Sequence, residues 1–174
     1  MRAPTARVYR SGMRVVFTKG PGTSYEVAVH REIGPELAPR NGPGGHPYLP
    51  HDLVHFIVEV ESGLRHGVLG QLAAGDNGLF WPADPAERSK ASRRHRSKRG
   101  RSPVRVQADT ARSEELVGIA VPLWESRRGL THGLPAYVTA KPLPPEIDRI
   151  VTRLDDYADR WHALPVGGCL TVDW

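Results

Sequence analysis

The sequence predicts an α+β fold: a small, mainly antiparallel sheet of two N-terminal strands plus a C-terminal strand, packed by about four helices. Three observations predict it. Residues 13–33 carry two strand-like runs divided by Gly20-Pro21-Gly22. Residues 50–64, 108–127 and 144–161 repeat apolar side chains at helical spacing. Residues 169–174 return to strict alternation. The order is β-β-α-α, a basic segment, then α-α-β, read as a single domain over residues 1–174.

Each element has its own warrant. Met13 to Lys19 is a strand because Val15, Val16 and Phe17 are β-branched or aromatic. From Tyr25 to Ile33, Tyr25, Val27 and Val29 fall on one face and Glu26, Ala28 and His30 on the other. Gly34 to Pro47 is expected as loop, since Pro35, Pro39, Pro43 and Gly44-Gly45 oppose regular structure. Pro50 to Leu64 is a helix: Pro50 suits a first turn, and Asp52 faces the positive end of the helix dipole. Its arc of Leu53, Phe56, Ile57, Val60 and Leu64 needs a core, and Val54 and Val58 imply burial on more than one side. A short helix follows over His66 to Ala74. Residues 84–103 are Ser/Arg-rich with almost nothing apolar, and are expected as a flexible insertion loop. Ala108 to Arg127 is helical through Leu116, Ile119, Ala120 and Leu123, with Pro122 expected to kink or end it. Ala136 to Ala140 is a candidate short strand. The last helix carries Ile147, Ile150, Val151, Leu154, Ala158 and Trp161 on one stripe, and interleaved Asp and Arg on the other. Trp81, Trp124, Trp161 and Trp174 are expected to pack in or at the edge of the core.

The charge is not evenly spread. The 174-residue chain has a formal charge of +5 from 24 Lys and Arg against 19 Asp and Glu. Eight of the basic residues lie between Arg88 and Arg101 with no acid among them: Arg88, Lys90, Arg93, Arg94, Arg96, Lys98, Arg99 and Arg101. Setting them aside leaves 16 basic residues against 19 acidic ones, a net of −3. This excludes a wholly cationic nucleic-acid module and confines the basicity to one segment. That segment would bind nucleic acid or another polyanion through phosphates and counterion release, with Arg93, Arg94, Arg96, Lys98, Arg99 and Arg101 as its contacts. It holds no Phe, Tyr or Trp for base stacking. The single cysteine, Cys169, excludes an intramolecular disulfide and points to the cytoplasm. It reads as a packed thiol. Arg2, Arg7 and Arg10 precede no apolar run, so neither a signal peptide nor a membrane span is expected. The Arg, Ala, Gly and Pro bias points to a high-GC bacterial gene.

The helix from Pro50 carries the most chemistry. His51 and His55 are one turn apart, close enough for two imidazoles to share a metal. At about 100° per residue, Glu59 continues the row and Asp52 flanks it, opposite the apolar arc. Zinc or iron would accept His51, His55 and one more ligand, Glu59 or His66, with Asp52 as orienting acid or base. The bound metal would turn a water into a nucleophile. Glu114 and Glu115 would join only if their helix packs on this one, which the sequence leaves open.

His51-Asp52-Leu53-Val54-His55 differs from the zinc-protease signature His-Glu-x-x-His by its shorter acid. It resembles the His-Asp-x-x-His metal motif of a ubiquinone-biosynthesis family. There the motif is followed after eleven residues by a Glu, where this chain has Gly67. The His51-Asp52 doublet also resembles the His-Asp phosphohydrolases, with His30 as the upstream ligand. Leu49-Pro50-His51-Asp52-Leu53-Val54-His55-Phe56, with Trp161 and Leu164-Pro165-Val166-Gly167-Gly168 near the C-terminus, resembles small uncharacterised actinobacterial proteins. That likeness implies a folded domain and no activity. The sequence therefore supports three expectations: a cytoplasmic interaction or regulatory module, a hydrolase-like metal enzyme built on the histidine helix, or a polyanion binder built on the basic segment.

Overall fold

The computed structural model describes residues 12–44, 46–76, 78–98 and 103–174, giving the backbone alone for 94–98. The fold is α+β. Among the described residues one antiparallel sheet is built from β1 (Met13–Lys19), β2 (Tyr25–Arg31), β3 (Arg40–Asn41) and β4 (Cys169–Asp173), in the order β3-β2-β1-β4. The helices are α1 (His51–Ser62), α2 (Val68–Ala73), α3 (Pro85–Lys98), α4 (Val104–Arg127), α5 (Ala136–Thr139) and α6 (Ile147–His162).

The period-2 pattern sets the sheet's register. Val15 pairs with Val29 on one side and Val172 on the other, and Phe17 with Val27 and Leu170. One face of the sheet is therefore a continuous apolar surface of Met13, Val15, Phe17, Tyr25, Val27, Val29, Leu170 and Val172, all buried. Cys169, Thr171 and Asp173 point to the other face and are exposed, so Cys169 is a surface thiol rather than a packed one. The β1–β2 turn closes with Gly20 N–H donating to the Ser24 carbonyl at 2.9 Å, and Gly22 takes φ +61°.

α1, α4 and α6 pack against one another, and their apolar stripes share one core with the sheet. Leu53, Ile57, Leu116, Trp124, Ile150 and Leu154 are its fully buried centre. α6 presents the expected stripe, and its acids bond neighbouring helices more than their own. Asp155 accepts from Trp124 Nε1 at 2.7 Å and from Arg128, while Arg153 bridges to Glu61 of α1.

Five expectations are corrected. The segment after β2 is not all loop: Arg40 and Asn41 pair with Val27 and Glu26, because Gly42 lets the backbone pass against the Tyr25 ring, where a Cβ would meet ring carbons at 2.0 Å. The basic segment is helical through residue 98. Its start follows local rules: Asp84 accepts from the Ala86 amide at 2.9 Å, Pro85 holds the first helical position, and Glu87 lies in the first turn. Residues 84–103 are thus a helix-bearing insertion, of which 99–102 lie outside the described residues. Residues 136–139 form a single helical turn, set by Pro135 and by burial of Val138. Pro122 does not end α4, because Leu116, Ala120, Leu123 and Trp124 hold both sides of it in the core. Trp81, expected in or at the edge of the core, is 55 % exposed.

Leu154 is fully buried on α6 between the sheet and the other helices. Leu154→Ala is expected to cost about 2–5 kcal/mol of unfolding free energy in urea titrations. A loss under about 1 kcal/mol would show that this interface is not the core.

Candidate functional site

The row His51, His55, Glu59 does not face solvent. α4 packs over it, so the row runs from the surface into the interior. His51 is exposed, His55 is 5 % exposed and Glu59 is 0 % exposed. The anchor at the inner end is Glu59. Its carboxylate accepts the backbone amides of Val68 at 2.8 Å and Leu69 at 3.0 Å. These are first-turn amides of α2, which have no partner inside their own helix. Glu59 is therefore a cap supplied by another helix. Gly67 precedes α2, and a Cβ there would lie 2.4 Å from the carboxyl carbon of Glu59. Only glycine leaves room for this arrangement.

Ser113 of α4 connects Glu59 to His55. Its hydroxyl is 3.0 Å from His55 Nδ1 and 3.5 Å from Glu59 Oε1. All three residues are buried. At the outer end, the His51 and His55 rings stand 4.7 Å apart, and Glu114 Oε1 is 3.8 Å from His55 Nε2. The chain is thus Glu59, Ser113, His55, then the exposed His51 and Glu114. Burial pushes the Glu59 carboxyl up to about 7, against the pull of the α2 amides and Ser113. Burial and the neighbouring His51 hold the His55 imidazole below its ordinary value.

The other expected site residues go elsewhere. Asp52 turns toward the sheet edge, accepting from Tyr25 Oη at 2.7 Å and from Arg40 at 2.5 Å. Burial and the Asp52 carboxylate push the Tyr25 phenol up. His66 pairs with Asp109 of α4, through Nδ1 at 3.2 Å and through its amide at 2.9 Å. His30 lies on β2 and is exposed. Among the described residues, no group of three or more His, Cys, Asp or Glu side chains is arranged to hold a metal ion. Two shallow depressions lie along α1 and α6, the larger of the two lined by Glu61, Asp148, Arg149, Thr152, Arg153 and Asp156. Neither is lined by His51, His55 or Glu114.

Sequence reasoning did not find Ser113 or Asp109. A signal existed: Asp109, Ser113, Leu116 and Ala120 share one row of α4, so Ser113 is a small polar residue within an apolar stripe.

The basic helix is the other candidate. None of residues 85–93 is buried, and no core residue lies on α3. Arg88 donates to the Pro82 carbonyl at 2.7 Å, and Lys90 pairs with Glu87 at 2.7 Å. Arg93 is exposed. Arg99 and Arg101 lie outside the described residues, as do the side chains of Arg94, Arg96 and Lys98. The exposed Trp81 precedes the helix on a backbone held by Ala38 and Ala83, whose amides bond the Trp81 and Glu36 carbonyls at 2.8 and 2.9 Å. No helix among the described residues is long and apolar enough to cross a membrane.

Comparison with family models, curated proteins and solved structures gives no match to this chain.

The buried carboxyl gives a pH dependence with a definite sign. Folding raises the Glu59 pKa from 4.5 to about 7, so the folded state holds that proton more tightly. The resulting stability is fully present below about pH 4.5 and is lost as pH rises through about 7. His55 acts in the opposite sense, adding stability above its ordinary value of 6.5 that is lost as pH falls. Glu59→Gln removes only the first term. Between pH 5 and 8 the wild type is expected to lose up to about 3 kcal/mol relative to Glu59→Gln in urea unfolding. Parallel pH profiles for the two proteins would contradict a proton-binding Glu59.

Proposed function

We propose that this protein is an interaction module that binds nucleic acid through α3 by its phosphate backbone, without reading sequence. One observation carries the reading: α3 is a 14-residue helix with no buried residue among those whose side chains are described, and six Arg and Lys against the single acid Glu87. A helix earns its stability in a protein chiefly by packing an apolar face. α3 has none, and its like charges repel along a length of about 21 Å. A polyanion supplies the missing stabilisation by neutralising those charges and releasing its counterions.

Two further features support it. The body of the protein is mildly acidic, so the attraction is confined to one projecting segment and the rest of the surface does not compete for phosphate. Trp81, exposed at the base of the helix, offers a flat ring on which an unpaired base can stack. The single, unpaired Cys169 suits a cytoplasmic setting, where nucleic acid is present.

Fluorescence anisotropy with a labelled 20-nucleotide single strand and a 20-base-pair duplex tests the proposal. The variant carrying Arg93→Gln, Arg94→Gln, Arg96→Gln and Lys98→Gln is expected to bind at least tenfold more weakly at low salt. The slope of log affinity against log salt is expected to shrink by about 3, since each phosphate contact contributes roughly 0.7–0.9. The melting temperature is expected to stay within about 2 °C of wild type, because surface substitutions away from packed features change little. Equal affinity and equal salt slope in variant and wild type would reject it.

A further inference from the structure

We infer that the nucleic acid held by α3 is an unpaired strand, and that Trp81 selects it by stacking on one of its bases; the inference rests on the phosphate binding proposed above for α3. The basic segment has no Phe, Tyr or Trp, so its charges alone do not tell one strand from two. Trp81 lies just ahead of α3, and its neighbours set its outward position. Phe80 and Pro82 are buried, with the Arg40 guanidinium 4.7 Å over the Phe80 ring. Pro82 also bridges to Leu37, which holds this stretch extended. The alternation of an extended chain then turns the residue between Phe80 and Pro82 to solvent. The other three tryptophans have partners inside the protein: Arg128 lies over Trp124, Lys19 over Trp161, and the Phe56 ring meets Trp174. Among the described residues, no ring or cation covers Trp81.

The ring and the charges are held as one unit. Arg88 Nε donates to the Pro82 carbonyl at 2.7 Å, which fastens the start of α3 to the residue after Trp81. On the other side the Trp81 carbonyl accepts the Ala38 amide at 2.8 Å. Both bonds use backbone carbonyls and leave the indole ring free. A ring fixed beside a row of cations loses little freedom when a strand binds. A strand whose phosphates follow α3 past its first turns meets Trp81 with its bases. An unpaired base offers a whole face to the ring, whatever its identity, because every base has a π-face. In a duplex both faces of each internal base are covered by the neighbouring pairs. Opening a step to admit the ring costs about as much as the new stack returns. The duplex therefore gains from the charges of α3 alone, and the unpaired strand gains from the charges and the ring.

Oligothymidylate and oligouridylate strands and a mixed-sequence duplex, all of equal length, serve as probes in titrations of the full chain at about 0.15 M salt, where the charge term is reduced. The wild type is expected to bind both single strands more tightly than the duplex. Trp81→Ala is expected to weaken single-strand binding by about 5- to 150-fold, the range for losing one base stack. Its duplex binding is expected to change by less than about twofold, with the salt slope kept, since no charge is removed. Trp81→Phe keeps a ring and is expected to stay within about threefold of wild type on single strands. The same variant is expected to lose the quenching of tryptophan emission that a stacked base produces in the wild type. Both variants change an exposed side chain, so their melting temperatures are expected to stay within about 2 °C of wild type. Three results would each overturn the inference and leave the α3 reading standing: unchanged single-strand binding in Trp81→Ala, equal weakening on strand and duplex, or tighter duplex binding by the wild type. A wild type that binds none of the probes would overturn both.

Discussion

The fold is organised around a carboxyl group placed where water cannot reach it. Glu59 sits at the junction of α1, α2 and α4, fully buried, with its two oxygens on the first amides of α2. An unpartnered buried carboxylate would be strongly destabilising, and so would the unpaired amides of a helix start. Each solves the other's problem. The pairing explains several neighbours at once. Gly67 has no side chain because the carboxylate occupies that space. Ser113 interrupts an otherwise apolar row of α4 because the network needs a small hydroxyl there. His55 is buried yet polar because Ser113 completes its hydrogen bonding. Replacing any one of these residues by an apolar residue strands a partner in a dry environment, the costly case for buried polar groups.

Much of this was legible in the sequence, and the rest was hidden for identifiable reasons. β1, β2, β4, α1, α4 and α6 follow from hydrophobic periodicity because each buries one continuous face, and burial writes itself into local spacing. β3 escaped because two residues cannot show a period; its existence depends on Gly42 lying against the ring of Tyr25, seventeen residues earlier in the chain. α3 is masked by its Ser/Arg-rich composition, which points to disorder, although Asp84, Pro85 and Glu87 mark a helix start. The histidine row was found, but its environment was not. On a helical wheel Glu59 lies opposite the apolar arc, and only the arrival of α4 from fifty residues further along turns that face inward. Glu114 and Ser113 come with that contact: Glu114 joins only once the helices pack, and Ser113 shows in the sequence only as a small polar residue within α4's apolar stripe.

The charge distribution separates two parts of the molecule with different physical requirements. The body gathers its polar groups into pairs that bridge elements: Asp52 with Arg40 and Tyr25, His66 with Asp109, Asp155 with Trp124 and Arg128. These groups are fixed because each has a partner of opposite character. α3 gathers like charges and has Glu87 as its single acid. Among the described residues, none of the core lies on α3. The histidine chain is the reverse case: its inner members cannot change without altering the packing of α1, α2 and α4.

Amide hydrogen exchange at Val68 and Leu69 tests the central claim most directly. First-turn amides of a short helix exchange rapidly when solvent is their only partner. With the Glu59 carboxyl as acceptor, both are predicted to be protected to within a factor of about ten of the most protected amides in α1, and to lose that protection selectively in Glu59→Ala. Fast exchange of both amides in the wild type, at the rate of an uncapped helix end, would contradict the account.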